Sequence, residues 1–116
     1  MTAGRKDDGG KLPWDLLPWE STEAVVAVLR SGAGKYAADN WKHVPDARRR
    51  YFAAAIRHLV ARWRGEVIDP EFGHPHLAHA ACCVLFMLWF DLRSSATEWA
   101  PAGAGEPAEG VRESGV

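Results

Sequence analysis

Residues 45–93 read PDARRRYFAAAIRHLVARWRGEVIDPEFGHPHLAHAACCVLFMLWFDLR, and this stretch decides the fold. It holds two helical patterns around a charged, Gly- and Pro-containing connection. The first pattern predicts helix B from about Pro45 to Arg64, with Phe52, Ile56, Leu59 and Trp63 within about 60° of one another as its core stripe. Gly65 stands where a left-handed residue ends a helix. The second pattern starts at Pro75, which suits a first helical turn, and predicts helix C to about Arg93. Leu77, Ala81, Val84 and Leu88 form one apolar stripe on it, and Cys83, Phe86 and Phe90 form another nearly opposite. A helix apolar on two sides is sandwiched, either inside one chain or between chains.

Working outward, residues 18–33 predict helix A, with Ala24, Val25, Val28 and Leu29 on its inner side. Pro18 and Glu20 favour its start, and Gly32 and Gly34 are expected to stop it. Residues 1–17 read as an arm interrupted by Pro13 and Pro18, residues 18–93 as the domain, and residues 94–116, dominated by Ala, Gly, Pro and Glu, as a disordered tail. The expectation is an all-α fold: a small bundle of three main helices. Such a short structured region is marginal alone, so association into a homo-oligomer through helix C is expected.

Composition narrows the function. Of 116 residues, 47% are hydrophobic and 25% charged, an ordinary globular balance, although six Trp is a high count for this length. Fourteen basic against fifteen acidic residues leave a formal charge of -1, so no global field draws in nucleic acid or an anionic membrane. The adjacent Cys82 and Cys83 form neither a disulfide framework nor a CxxC site, and the reducing cytoplasm is the default compartment. The first residues lack a signal-peptide core, and the longest apolar run falls short of the ~20 residues of a span.

The strongest chemical signal is a histidine and carboxylate cluster. His76 and His79 share one side of helix C at i, i+3, and an antiparallel B/C pair brings His58 beside them. The connection supplies Glu66, Asp69 and Glu71. Two or three imidazoles with one or two carboxylates suit Zn, Mn or Fe, whereas helix capping and ion pairing explain the same residues without a ligand. Arg50, Arg57 and Arg64 share a face of helix B that can clamp phosphate; a solvated face, notably for Arg48 to Arg50, is the plainer reading. Gly32-Ala33-Gly34-Lys35 is not a P-loop, because Leu29 and Tyr36 occupy the positions of its Gly and Ser/Thr. Tyr36, Asn40 and Trp41 can stack on and bond a base, or close the edge of the core.

Taken in order, Lys6-Asp7-Asp8-Gly9-Gly10-Lys11, Leu16-Leu17-Pro18, Gly34-Lys35-Tyr36, Asn40-Trp41, Arg57-His58-Leu59, Arg64-Gly65-Glu66, Ile68-Asp69-Pro70-Glu71 and His76-Leu77-Ala78-His79-Ala80 resemble the N-terminal domain family of phage and prophage dATP/dGTP diphosphohydrolases. The likeness covers residues 5–93. It implies a nucleotide-pool enzyme that cleaves a purine deoxynucleoside triphosphate to monophosphate and pyrophosphate with a divalent ion, Mn, Mg or Zn. Related all-α pyrophosphohydrolases carry EExxE and ExxD helices, which are missing here; Glu20 and Glu23 are the nearest helical acidic pair. Spacing and resemblance together assign His58, Asp69, His76 and His79 to the metal, with Glu66 and Asp69 as the catalytic carboxylates and Glu66 orienting or deprotonating water. Lys11, Lys35, Arg57 and Arg62 are assigned to phosphate, and Asn40 and Trp41 to the purine. The rivals are a non-catalytic nucleotide- or protein-binding accessory module and a DNA-associated protein using the arginine face.

Overall fold

The computed structural model describes residues 3–94 and 97–101. The chain divides into two units, residues 1–16 with 99–116 and residues 17–98. In the first, the arm is solvent-exposed, with a turn closed by the Lys11 N–H on the Asp8 carbonyl and one 3-10 turn over Trp14–Leu16. The tail expected from residue 94 lies mostly outside the described residues.

The second unit holds three α-helices, α1 (Trp19–Lys35), α2 (Ala47–Trp63) and α3 (His76–Arg93), and a 3-10 turn over Asn40–His43. No strand occurs among the described residues, and the all-α expectation holds. α3 packs against both α2 and α1. α2 begins with Asp46 in the left-handed region at φ 55°, where its carboxylate pairs with Arg49. Its end is a Schellman closure: Gly65, at φ +106°, donates its N–H to the Arg62 carbonyl, and the next N–H, from Glu66, reaches back to Ala61.

Two expectations are corrected. α1 runs through Gly32 and Gly34, and the Tyr36 N–H still bonds the Gly32 carbonyl at 3.0 Å. A helical glycine costs about 1 kcal/mol against alanine, a local penalty that the docking of α1 on α3 outweighs. On α2, the stripe Phe52, Ile56, Leu59 and Trp63 is exposed, Trp63 at 90%. The seam is built from small residues instead: Ala47 and Ala55 on α2, and Ala78, Ala80, Cys82 and Cys83 on α3, are the buried apolar side chains. Small side chains let the backbones approach, and the large ones are left on the flanks.

By length and composition alone, the 18-residue α3 also passes as long and apolar enough to cross a membrane, although its apolar run is interrupted at the start by His76 and His79 and at the end by Asp91 and Arg93. Its buried His76 and its packing on two neighbouring helices equally describe the core helix of a bundle.

Candidate functional site

The connection between α2 and α3 folds into a compact hairpin. Ile68 and Pro75 form an isolated antiparallel bridge, the Asp69 N–H bonds the His74 carbonyl at 2.8 Å, and the His76 N–H bonds the Val67 carbonyl at 2.9 Å. Gly73, at φ +76°, closes the tip by donating to the Asp69 carbonyl. The hairpin presents Glu66 and Asp69 to the first turn of α3. Asp69 is buried, with Oδ1 accepting the Glu71 N–H at 3.2 Å.

The antiparallel α2/α3 pair brings His58 beside both α3 histidines, as the sequence predicts. His76, 5% exposed, uses both ring nitrogens: Nε2 lies 2.6 Å from Glu66 Oε1, and Nδ1 lies 2.9 Å from His58 Nδ1. The Glu66 carboxylate accepts, so His76 Nε2 carries the proton. With one proton on each ring, His76 Nδ1 accepts from His58 Nδ1–H, and His58 Nε2 keeps a lone pair. The three residues form a Glu–His–His chain from an exposed carboxylate, through the buried His76, to the half-buried imidazole of His58.

His79 stacks on His58, with centroids 4.5 Å apart and planes 6° from parallel. Desolvation first, then the neighbouring imidazoles, holds the His58 pKa below its ordinary value. Desolvation also lowers His79, with Asp69 opposing the shift. His79 Nε2 lies 3.3 Å from Asp69 Oδ2, near enough for a charge contact, but without the alignment of a hydrogen bond; the nitrogen is buried and otherwise unpartnered.

The orphaned nitrogen and its carboxylate are two metal-type donors. Among the described residues, however, no group of three His, Cys, Asp or Glu side chains is placed to hold one ion. His76 has both nitrogens engaged, and His58 Nδ1 is turned to His76. The residues as arranged do not fit a preformed zinc-type centre, which needs at least three protein ligands.

His58 and His79 form the polar end of a cavity of about 710 Å³, within the usual size range of small-molecule sites. α1 supplies Val28, Gly32 and Ala33 to its wall, Tyr36, Trp41, Tyr51, Phe86 and Trp89 form its aromatic part, and Asn40 adds an amide. Trp41 stacks on Phe86 at 4.3 Å and meets Trp89 edge-on at 5.0 Å. One face of Trp41 is therefore already covered, and Trp41 closes the core as well as lining the cavity.

The other predicted residues fall at varied distances from this centre. Lys35 adjoins the wall residue Tyr36, pairs with Glu71 at 3.7 Å and sits over the Phe72 ring. Arg57 and Arg62 are on α2 but do not line the cavity, and Lys11 belongs to the arm unit. Arg48 pairs with Asp91 and Arg49 with Asp46, which offsets part of the arginine face. Sequence reasoning missed the role of Ser31: its Oγ lies 2.6 Å from His74 Nε2 and ties α1 to the hairpin. Forty-three residues separate the two, and no local pattern signals the pair. Cys82 and Cys83 are buried, and desolvation raises their pKa to about 12 and about 11, which makes them unreactive thiols.

A family model described as "dATP/dGTP diphosphohydrolase, N-terminal" matches residues 1–98. A protein of Salmonella phage PMBT28 named "dATP/dGTP diphosphohydrolase" is 36% identical over 86 residues, covering 74% of this chain and 29% of the phage protein. The chain thus corresponds to well under half of that relative. No solved structure matches.

Proposed function

Because the chain belongs to the family of dATP/dGTP diphosphohydrolase N-terminal domains, we propose that its cavity takes a purine deoxynucleoside triphosphate and that its histidine end serves hydrolysis to monophosphate and pyrophosphate. The observation that carries this reading is the position of the Glu66–His76–His58 chain, which ends at the wall of an aromatic cavity.

In this reading the sugar and purine lie against Asn40, Trp41 and Trp89, and the phosphates point toward His58 and His79. His58 Nε2, neutral and bearing a lone pair, removes a proton from the attacking water. His76 shares the resulting positive charge, and Glu66 stabilises it from the outer end, as the carboxylate of a catalytic triad does for its histidine. Glu66 then acts by orienting His76 instead of meeting the water itself. Asp69 fixes the hairpin and faces His79. Lys35, next to the wall residue Tyr36, remains assigned to phosphate charge, whereas Arg57 and Arg62 lie off the cavity wall and are given no phosphate in this reading. A divalent ion, Mg, Mn or Zn, accompanies the triphosphate as its counter-ion, and the setting is the cytoplasmic nucleotide pool.

A second reading has its own support. Among the described residues no three-ligand centre is formed, and this supports a non-catalytic module that binds nucleotide. One experiment separates the two: pyrophosphate release from a panel of deoxynucleoside triphosphates with Mg, Mn or Zn, beside calorimetric binding of a non-hydrolysable dATP analogue. Turnover lost in His58→Ala supports the hydrolase. Binding without turnover selects the module, and no binding overturns the cavity assignment.

A further inference from the structure

The side of the α2/α3 pair turned away from α1 is a continuous apolar face. On α3, Cys82 points to α1, its thiol 3.5 Å from the Val25 carbonyl, whereas Leu77, Val84 and Leu88 lie about 140° round the helix. They are 53%, 52% and 47% exposed. On α2, the cavity residues Tyr51, Ala54 and His58 mark the side of α1, and Phe52, Ile56, Leu59 and Trp63 again stand about 140° away. Both stripes therefore share the face opposite α1. The charged residue among the outward positions of α3, Asp91, is already paired with Arg48.

We infer that this face is the two-fold interface of a homodimer, in which two α2/α3 pairs close into a four-helix core. Three observations argue for a second copy as the occupant. Among the described residues, the buried apolar side chains of one chain are alanines and cysteines only, too small a core to offset the ordering entropy of three helices alone. The seven outward side chains, three of them the large Phe52, Leu59 and Trp63, are each 43–90% exposed in one chain, a contiguous apolar area of the kind that a standard interface of ~800 Å² per partner buries. Outside the described residues, Met1, Val111 and Val116 are the large apolar side chains of the given sequence. A face whose apolar stripes carry charge only in the paired Asp91 and Arg48 can meet its own copy without leaving a lone charge opposite itself, as a two-fold contact requires.

The test is sedimentation or light scattering of the whole chain at micromolar concentration, on the wild type and on Val84→Glu and Trp63→Lys. The expected wild-type mass is twice the 12.8 kDa of one chain. Val84→Glu should give monomer. Trp63 is 90% exposed in one chain, so Trp63→Lys leaves the fold of a protomer intact, which circular dichroism checks, and weakens the dimer roughly tenfold or more. A monomeric wild type overturns the inference. A dimer that Trp63→Lys and Val84→Glu both leave unchanged overturns the choice of face.

Discussion

The two ends of the α2/α3 pair are held by different forces. At the hairpin end, three imidazoles and two carboxylates meet through hydrogen bonds and a ring stack. At the open end, Trp41, Phe86, Trp89 and Phe90 stack and cross edge-to-face. Both ends contribute to one cavity wall. The difference teaches that polar chemistry is kept beside the short connection, where the backbone fixes geometry, whereas the far end relies on apolar area, which tolerates imprecision.

The sharpest way to break this division is His58→Ala, expected to lower dATP or dGTP turnover by about 10²–10⁴-fold, the range of a lost general base. Its melting temperature should move far less than that of Phe86→Ala; a parallel collapse of both would show that the histidine end is structural. Phe86→Ala removes the ring on which Trp41 stacks and should cost about 2–4 kcal/mol in a denaturant titration. Glu66→Gln should reduce turnover by about tenfold and reshape its pH profile, because the amide can no longer hold the charge on His76; an unchanged profile removes Glu66 from the chain.

Stability against pH sharpens the same comparison. His58 and His79 have folded pKa values below the ordinary 6.5, so below pH 6.5 the unfolded chain takes up protons that the folded chain refuses. Stability should fall as pH drops from 6.5 toward the folded values and level off above it. Denaturant midpoints across that window should flatten in a His58→Gln/His79→Gln variant, while Phe86→Ala should keep the slope. The smallest effect is that of Ser31→Ala, about 1 kcal/mol for the lost bond to His74.

Much of this was legible in the residues. Helical periodicity placed α2 and α3 to within two residues, and the spacing of His76 and His79 with the acidic connection located the cluster, because both are local signals. Periodicity failed where it had to distinguish a core from an interface. The stripe Phe52, Ile56, Leu59 and Trp63 is real, but apolar spacing does not reveal that alanines on the neighbouring side form the seam. The end of α1 failed for a related reason: Gly32 and Gly34 are poor helix formers, yet neither needs a positive φ, and tertiary contact overrode propensity. The individual roles of the histidines were out of reach, since they depend on which nitrogen faces which partner.

Gly32 lines the cavity, and neither it nor Gly34 has anything within 4 Å of the place a Cβ would occupy. The helix that walls the cavity is thus weakened at its C-terminal turns by two residues whose replacement meets no steric obstacle. Amides in those turns should exchange with solvent faster than those of α3, which gives the cavity a breathing wall. Gly32→Ala would stiffen it by about 0.5–1 kcal/mol, slowing both amide exchange and ligand entry at one position.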